Sequence, residues 1–170
     1  DVEFVECGEN YVFCKTTKLG VYCWGNNYNG KLGIGNKNNQ ITPVPCSSLE
    51  NVDVVDIKCN RITSVVLTLE EEVFCCGERY FGQLTRDGED NWSFGKIPNL
   101  SGIIRIECGL LHTMCIDIHH NIWAFGDYNN HGQLGVGNVN SVNIPLQHPS
   151  LLNIIDISKG GSHTFVKTSN

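Results

Sequence analysis

The sequence lacks the features that would indicate a membrane protein, a nucleic-acid binder or a zinc protein. No run of about 18 apolar residues occurs, so no transmembrane helix is predicted. The 12 Lys and Arg against 18 Asp and Glu give a formal net charge of −6, which leaves no basic surface to neutralise a nucleic-acid backbone. The nine cysteines include no Cys-x-x-Cys pair, the usual spacing of a zinc site. We therefore predict that this segment binds no membrane, no nucleic acid and no metal.

What the sequence does contain is an internal repeat of about fifty residues. A large residue or a cysteine followed by glycine recurs at 24–25, 76–77 and 125–126. Repeats of this length are typical of solenoids, propellers and arrays. The predicted units are 1–52, 53–102, 103–153 and, as the start of a fourth, 154–170.

Each unit reads as a set of short β-strands. Runs of alternating β-branched and aromatic residues are separated by Gly, Asn and Pro, and no stretch shows the periodicity of an amphipathic helix. A proline-containing segment closes each unit, at 43–45, 97–98 and 144–145, and fits an edge strand because proline cannot donate to a ladder. Four short strands repeated radially are typical of a β-propeller blade. The predicted fold is all-β, a partial β-propeller of about three four-stranded blades.

Four motifs relate these units to a known family: "ECGLLHT" at 107–113, "GGSHT" at 160–164, "YCWGNN" at 22–27 and "GQLGVG" at 132–137. The units resemble repeats of the regulator of chromosome condensation family, and the resemblance covers essentially all of the chain. It implies a seven-bladed ring, whose remaining blades would come from further sequence or from another chain. The unit at 57–88 departs from the family pattern, with Asn60 in place of glycine, Thr63 in place of histidine and Cys76 in place of the aromatic residue.

The cysteines fit buried positions of the repeat. Cys14 and Cys115, for example, share a repeat position with valine in the other units. A small buried hydrophobic residue behaves in this way, so we expect reduced thiols in the core, with a redox role or a metal site as the alternatives. Reduced thiols predict a cytoplasmic or nuclear protein.

The repeated glycines and histidines have structural explanations. The loops at 33–35 and 135–137 could bind phosphate, but the helix and the acidic residue of a dinucleotide site are missing. We expect instead that these later glycines permit tight turns, and that the glycine after Trp24 or Phe125 lets the backbone bend close to the packed ring of the neighbouring blade. His112 and His163 share a repeat position with tyrosine and threonine, which predicts a hydrogen bond that locks blades together. The predicted structural residues are Trp24, Gly25, Gly77, His112, Phe125, Gly126 and His163.

The loops after the aromatic-glycine steps are the candidates for partner binding. Loops on a rigid scaffold commonly carry function, and tyrosine and arginine are typical anchors of protein–protein contacts. The alternative is that the loop tyrosines cover the seams between blades. The candidate residues are Tyr28, Arg79, Tyr80, Phe81, Asp127, Tyr128 and His131.

No set of nucleophile, base and orienting acid is visible, so the sequence predicts no enzyme chemistry and no cofactor. We expect a protein-interaction or regulatory module that binds a protein partner through its blade loops. The resemblance implies an alternative, a guanine-nucleotide exchange factor for a Ran-type small GTPase, which would act without group-transfer chemistry. A third hypothesis is the propeller part of a multidomain protein such as a ubiquitin ligase.

Overall fold

The chain forms four antiparallel β-sheets, over the residues 1–78, 91–126 and 129–169 that the computed structural model describes. The first sheet contains β1 (Val2–Gly8), β2 (Tyr11–Thr16), β3 (Gly20–Gly25) and β4 (Gln40–Pro45). The second contains β5 (Val54–Cys59), β6 (Thr63–Thr68), β7 (Val73–Gly77) and β8 (Gly95–Lys96). The third contains β9 (Ile103–Cys108), β10 (His112–Asp117), β11 (Ile122–Gly126) and β12 (Val142–Gln147). The fourth contains β13 (Ile154–Lys159) and β14 (Thr164–Thr168), and two 3-10 turns lie at Ser47–Leu49 and Asn129–His131.

The sheets are arranged as blades around a common axis. In each sheet the strands follow one another along the chain, and the first strand lies beside the first strand of the next sheet. These inner strands, β1, β5, β9 and β13, lie side by side along the inner side of the open arc, and we call the space that they face the channel. The prediction of an all-β, partial β-propeller is confirmed, with three four-stranded blades and two strands of a fourth. Within the described part of the chain, no helix has the length and hydrophobicity of a membrane span.

The hydrophobic core lies in the seams between blades. Strands β6 and β10 are buried along their whole length, because each has a blade on both sides. Strand β2 is only partly buried, because one face of blade 1 packs against no other described blade. The three seam clusters include Phe13 with Ile57, Val65 with Ile106, and Ile116 with Ile157. Each such buried side chain stabilises the fold by about 1.5–3 kcal/mol, so packing between blades holds the structure together.

Every inner strand contains a β-bulge at the same position. In β5 the pairing register shifts between Val54 and Asp56, so that Val55 is an extra residue. The same shift leaves Glu3, Ile104 and Ile155 as extra residues in the other inner strands. A bulge redirects the side chain of the extra residue and increases the local twist. The four bulges lie at the end of the channel where the inner strands begin.

Blade 2 differs from the other complete blades in its outer strand. Strand β8 holds only Gly95 and Lys96, so the prediction of an edge strand at 97–98 is wrong. Ile97 is fully buried in the core, and its N–H donates to the Val73 carbonyl at 2.8 Å. The equivalent Cys46 and His148 N–H groups make the same bond in blades 1 and 3, so the outer strand ends at one repeat position in all three blades, and Pro98 lies beyond it.

Candidate functional site

One end of the central channel, which we call the turn face, is formed by the turns that follow the inner strands. It contains a depression of about 440 Å³ that extends over all four blades. Gly8, Gly109 and Gly160 occupy equivalent positions in its lining, and Asn60 takes this place in blade 2. The turns of all four blades therefore border one depression.

Hydrogen bonds between successive turns hold the turn face together. The Arg61 N–H of blade 2 donates to Leu110 O of blade 3 at 3.3 Å, and the Leu110 N–H donates to Gly161 O of blade 4 at 2.8 Å. Between blades 1 and 2, the buried Lys31 ammonium donates to Arg61 O at 3.1 Å and lies 4.8 Å from the centroid of the Tyr11 ring. Burial lowers the pKa of Lys31. The turns therefore form a connected surface rather than independent loops.

Tyr11 and His112, at equivalent repeat positions, form hydrogen bonds across seams. The Tyr11 hydroxyl of blade 1 donates to Thr63 O of blade 2 at 2.8 Å. His112 Nε2 lies 2.9 Å from Thr164 Oγ1 of blade 4. Since the Thr164 hydroxyl donates to Gln133 O at 3.2 Å, the hydrogen in the histidine–threonine bond comes from His112 Nε2.

The surroundings of His112 favour its neutral form. Its Nδ1 is buried and has no hydrogen-bond partner among the described residues, so protonation would bury an unpaired charge. Burial, with a smaller contribution from His163, lowers the pKa of His112 to about 4. His163 holds the same position in blade 4, where its ring lies edge-on to Phe165 with the ring centroids 5.3 Å apart.

The glycine three residues before each ring makes room for that ring. A Cβ on Gly109 would lie 2.0 Å from His112 Cε1, and the same close approach occurs in blades 1 and 4. In blade 2, where Asn60 replaces the glycine, Thr63 replaces the ring. Asn60 Nδ2 donates to Thr63 Oγ1 at 2.6 Å. The departure of blade 2 from the family pattern is thus a paired substitution.

The glycines of the aromatic-glycine steps approach their own blade. Gly25, Gly77 and Gly126 have φ angles of 103°, 115° and 120°, which favour glycine. A Cβ on Gly25 would lie 2.5 Å from Asn10 O, and one on Gly126 would lie 2.8 Å from Leu111 O. Both carbonyls belong to the turn between the first two strands of the same blade. The expectation that these glycines face the neighbouring blade is therefore wrong.

The residues before these glycines differ in burial. Phe125 is fully buried in the cluster that joins blades 2 and 3, and Cys76 is fully buried in the cluster that joins blades 1 and 2. Trp24 is half-buried, because its side of blade 1 packs against no other blade of this structure. The equivalent positions thus pack into seams wherever a neighbouring blade is present.

Buried asparagines shape the loops that follow the aromatic-glycine steps. Asn27 is fully buried, its Nδ2 donates to Asn36 O at 2.8 Å, and its Oδ1 accepts the Leu32 N–H at 2.9 Å. Asn129 makes the corresponding pair of bonds in blade 3. The sequence-based predictions did not include these two residues. The signal was present, because each asparagine stands five residues before a leucine at the same phase of the repeat.

Tyr28 lies beside a groove on the turn face. Its side chain is 75% exposed, and the groove, of about 520 Å³, is also lined by Glu9, Lys31 and Arg61. Arg61 Nε lies 3.3 Å from Glu9 Oε2, and both side chains are more than half exposed. The groove shares Glu9 and Arg61 with the channel depression, so the two form one continuous surface. Neither residue was predicted, since each comes from a turn distant from Tyr28 in the sequence.

The other candidate loop residues do not join Tyr28 in one described site. His131 is exposed at the end of the 3-10 turn of blade 3, and it borders a separate cavity between blades 3 and 4. The remaining five candidates lie outside the described residues and stay predictions: Arg79, Tyr80, Phe81, Asp127 and Tyr128.

The thiols and titratable groups do not form a reactive centre in the described ranges. All nine cysteines are free, and most are buried. Burial raises the pKa of Cys59 far above its ordinary value and that of Cys108 to about 12, so neither thiol ionises at neutral pH. No group of three or more His, Cys, Asp or Glu among the described residues could hold a metal ion.

Known proteins share these repeats. The family model described as "Regulator of chromosome condensation (RCC1) repeat" matches residues 20–67 and 119–166. The chain belongs to the RCC1 repeat family. Each match contains the last two strands of one blade and the first two of the next. The family's repeat unit therefore spans a seam between blades. The core of the RCC1-repeat chain and the hydrogen bonds of the Tyr11 and His112 rings lie in these seams.

The chain covers only part of the length of three proteins to which it is similar. It is 27% identical, over 98% of its length, to E3 ubiquitin-protein ligase HERC2 of Mus musculus, of which it covers 4%. It is 25% identical, over 99% of its length, to Ultraviolet-B receptor UVR8 of Arabidopsis thaliana, of which it covers 39%. The crystal structure of Prp20p from Saccharomyces cerevisiae matches 97% of this chain at 18% identity with a TM-score of 0.83, and 43% of Prp20p is covered. The RCC1-repeat chain thus spans less than half the length of each.

Proposed function

We propose that this chain is part of a non-catalytic protein-interaction module and that its turn face binds a protein partner. The observation that carries this proposal is the groove beside Tyr28, where an exposed tyrosine lies near the exposed Arg61 and Glu9. Tyrosine and arginine are enriched among the residues that dominate binding energy at interfaces. The groove opens into the channel depression, which gives a partner a concave surface.

The residues around the groove are held in place without a partner. Buried Asn27 fixes the loop that carries Tyr28, and Asn29 Nδ2 in the same loop donates to Glu78 Oε2 of blade 2 at 2.8 Å. Lys31 connects the loop to Arg61 through its hydrogen bond to the carbonyl. Such preorganisation lowers the entropic cost of binding, which supports a role for this surface in recognition.

The relatives support a protein as the ligand. The crystal structure of Prp20p was described together with the binding of Prp20p to Gsp1p and histones. A second structure contains Kap60 bound to the same yeast protein. By analogy, we propose a protein partner for this chain, with exchange on a Ran-type small GTPase as the alternative function. The five candidates outside the described residues extend the proposed site to the equivalent loops of blades 2 and 3.

Alanine variants of the groove test the proposal. Tyr28→Ala and Arg61→Ala should each reduce the amount of bound partner at least about fivefold in quantitative affinity capture, because they remove the expected anchors. The melting temperature should change by less than about 2 °C, since both side chains are exposed. The matched control is Ile41→Ala, whose side chain is 97% exposed on the outer strand of blade 1. A large fall in melting temperature would instead show that Tyr28 covers the seam.

Two further measurements separate the alternatives. Release of a fluorescent GDP analogue from a Ran-type GTPase, unchanged at micromolar concentrations of the protein, would remove the exchange function. Faster release that Arg61→Ala abolishes would replace the scaffold proposal with the exchange factor. The double variant Arg79→Ala, Tyr80→Ala tests the predicted loop of blade 2, and partner capture equal to that of the wild type would exclude this loop from the site.

A further inference from the structure

The end of the channel opposite the turn face carries an arc of exposed apolar side chains. The bulges make Val55, Ile104 and Ile155 the extra residues of three adjacent inner strands, and these side chains are 49%, 47% and 44% exposed. Single exposed apolar residues are common on protein surfaces. Three at the same position of successive blades form a contiguous surface, and such surfaces mark interaction sites.

The turns between the second and third strands extend this arc outward. The Leu69 N–H donates to Asp53 O at 2.8 Å, and the Ile118 N–H donates to Gly102 O at 2.8 Å. Each bond holds the turn next to the bulge of its own blade. Leu69 and Ile118 are 68% and 49% exposed. We call this surface the bulge face, and it consists of Val55, Leu69, Ile104, Ile118 and Ile155.

Between blades 1 and 2 the bulge face deepens into a cavity of about 550 Å³. Val55 and Leu69 line its blade 2 side, and Glu3, Lys15 and Lys18 line its blade 1 side. Glu3 Oε2 lies 2.7 Å from Lys15 Nζ, so these two charges compensate each other. A cavity of this size can receive a bulky apolar side chain together with the backbone around it.

Exposed acidic residues lie on the blade 2 side of the cavity, at Asp53 in its lining and at Glu70 and Glu71 in the turn that carries Leu69. Asp53, Glu70 and Glu71 of blade 2 are exposed, and none of them forms an ion pair with a described residue. Lys18, on the opposite side of the cavity, is the exposed base near them. The lining itself holds two acids, Glu3 and Asp53, and two bases, Lys15 and Lys18. Glu70 and Glu71 in the adjoining turn make the surroundings of Leu69 acidic, and complementary charge favours a basic partner.

We propose that the bulge face binds an extended segment of a protein partner in which lysine or arginine flanks a bulky apolar residue. The apolar side chain packs against Val55 and Leu69 in the cavity. The basic residues of the segment face Asp53, Glu70 and Glu71. This site lies at the opposite end of the channel from the Tyr28 groove, so the two proposals stand or fall separately.

Peptide display tests this proposal with a defined probe. A phage library of random peptides is selected on the full chain, with counter-selection on the Leu69→Ser variant to remove peptides that bind elsewhere. Enriched peptides are then synthesised with a fluorophore and titrated by anisotropy. We expect sequences with a bulky apolar residue beside lysine or arginine. Leu69→Ser and Val55→Ser should each weaken their binding about tenfold or more, because both line the central pocket.

Charge and control variants complete the test. The triple variant Asp53→Asn, Glu70→Gln, Glu71→Gln should weaken binding about fivefold and reduce its dependence on salt. Ile41→Ser and Tyr28→Ala should bind the peptides as the wild type does, and all variants should keep the wild-type melting temperature because the changed side chains are exposed. The proposal is overturned if no peptide is enriched or if the enriched peptides are acidic. It is also overturned if Tyr28→Ala abolishes binding, or if the bulge-face variants leave affinity unchanged.

Discussion

The seam between blades 3 and 4 and the seam between blades 2 and 3 use different residues at equivalent positions. In the first seam, Gly109 leaves space for the His112 ring, which reaches Thr164 of the next blade at 2.9 Å. In the second, Asn60 and Thr63 bond to each other at 2.6 Å within a single turn, so this side-chain bond across the seam is absent among the described residues. A backbone hydrogen bond between successive turns is present in both seams. Both seams contain a buried apolar cluster.

The comparison shows that the glycine and the ring act as one unit. The ring occupies the space that a Cβ on the glycine would need, so a blade can have either glycine with a ring or a larger residue with a short side chain. Both seams have apolar packing, and the ring forms a side-chain hydrogen bond across its seam in addition. Three experiments break or sharpen this comparison, with expected effects that decrease in size.

Gly109→Asn should have the largest effect, because it gives blade 3 the asparagine of blade 2 without the matching threonine. The added Cβ would lie 2.0 Å from His112 Cε1, so the ring has to leave its place in the seam. We expect the free energy of unfolding to fall by about 3 kcal/mol, from overpacking together with the lost hydrogen bond. Urea denaturation followed by far-ultraviolet circular dichroism measures this loss.

The double variant Gly109→Asn, His112→Thr reproduces the residue pair of blade 2 in blade 3. It should recover about half of the lost stability, since the steric conflict disappears while the bond to Thr164 stays absent. Either of two results would contradict the paired explanation: a single variant as stable as the wild type, or a double variant no more stable than the single one.

The blades could be predicted from the sequence because each blade repeats the same local chemistry. The position shared by Tyr11 and His112 also predicts a hydrogen-bonding side chain. The bonding partners could not be predicted, because Thr63 O and Thr164 Oγ1 belong to a different blade. The bulges could not be predicted from the sequence either, because one extra residue in a strand leaves the apolar pattern around Val55 almost unchanged.

The candidate site was only partly predictable for the same reason. Tyr28 could be selected as an aromatic residue in a variable loop. Arg61 and Glu9 reach the same groove from turns of two different blades, and no local pattern connects them to Tyr28. Asn27 was overlooked because a polar residue in a loop suggests exposure, whereas its amide is buried to satisfy backbone groups of the loop.

The pH dependence of stability should distinguish the two seams, because only the seam between blades 3 and 4 has a titrating ring. His112 stays neutral in the folded protein down to a pKa of about 4, whereas the unfolded chain binds a proton below its ordinary value of 6.5. This contribution to stability is therefore complete above about pH 6.5 and is lost as the pH falls towards 4. Urea titrations should show about 2 kcal/mol less stability at pH 5 than at pH 7.5 from this group.

His112→Tyr is the control for the pH experiment, because tyrosine is the residue of blade 1 at this position and does not titrate in this range. Other histidines contribute to both proteins, so the difference between the two pH profiles isolates His112. Parallel profiles for wild type and variant would show that His112 does not remain neutral in the folded state.

Tyr11→Phe should make the seam between blades 1 and 2 more like the seam between blades 2 and 3. The ring keeps its edge-on contact with Phe13, at 6.0 Å between centroids, but the hydroxyl bond to Thr63 O is lost. We expect the free energy of unfolding to fall by about 1.5 kcal/mol, less than for Gly109→Asn because no atom is displaced. Tyr22→Phe is the matched control, since Tyr22 is half-buried and its hydroxyl makes no hydrogen bond to a described residue. Equal losses of stability for the two variants would mean that apolar packing alone joins the blades. A loss confined to Tyr11→Phe would establish that the ring hydrogen bond contributes to stability in addition to that packing.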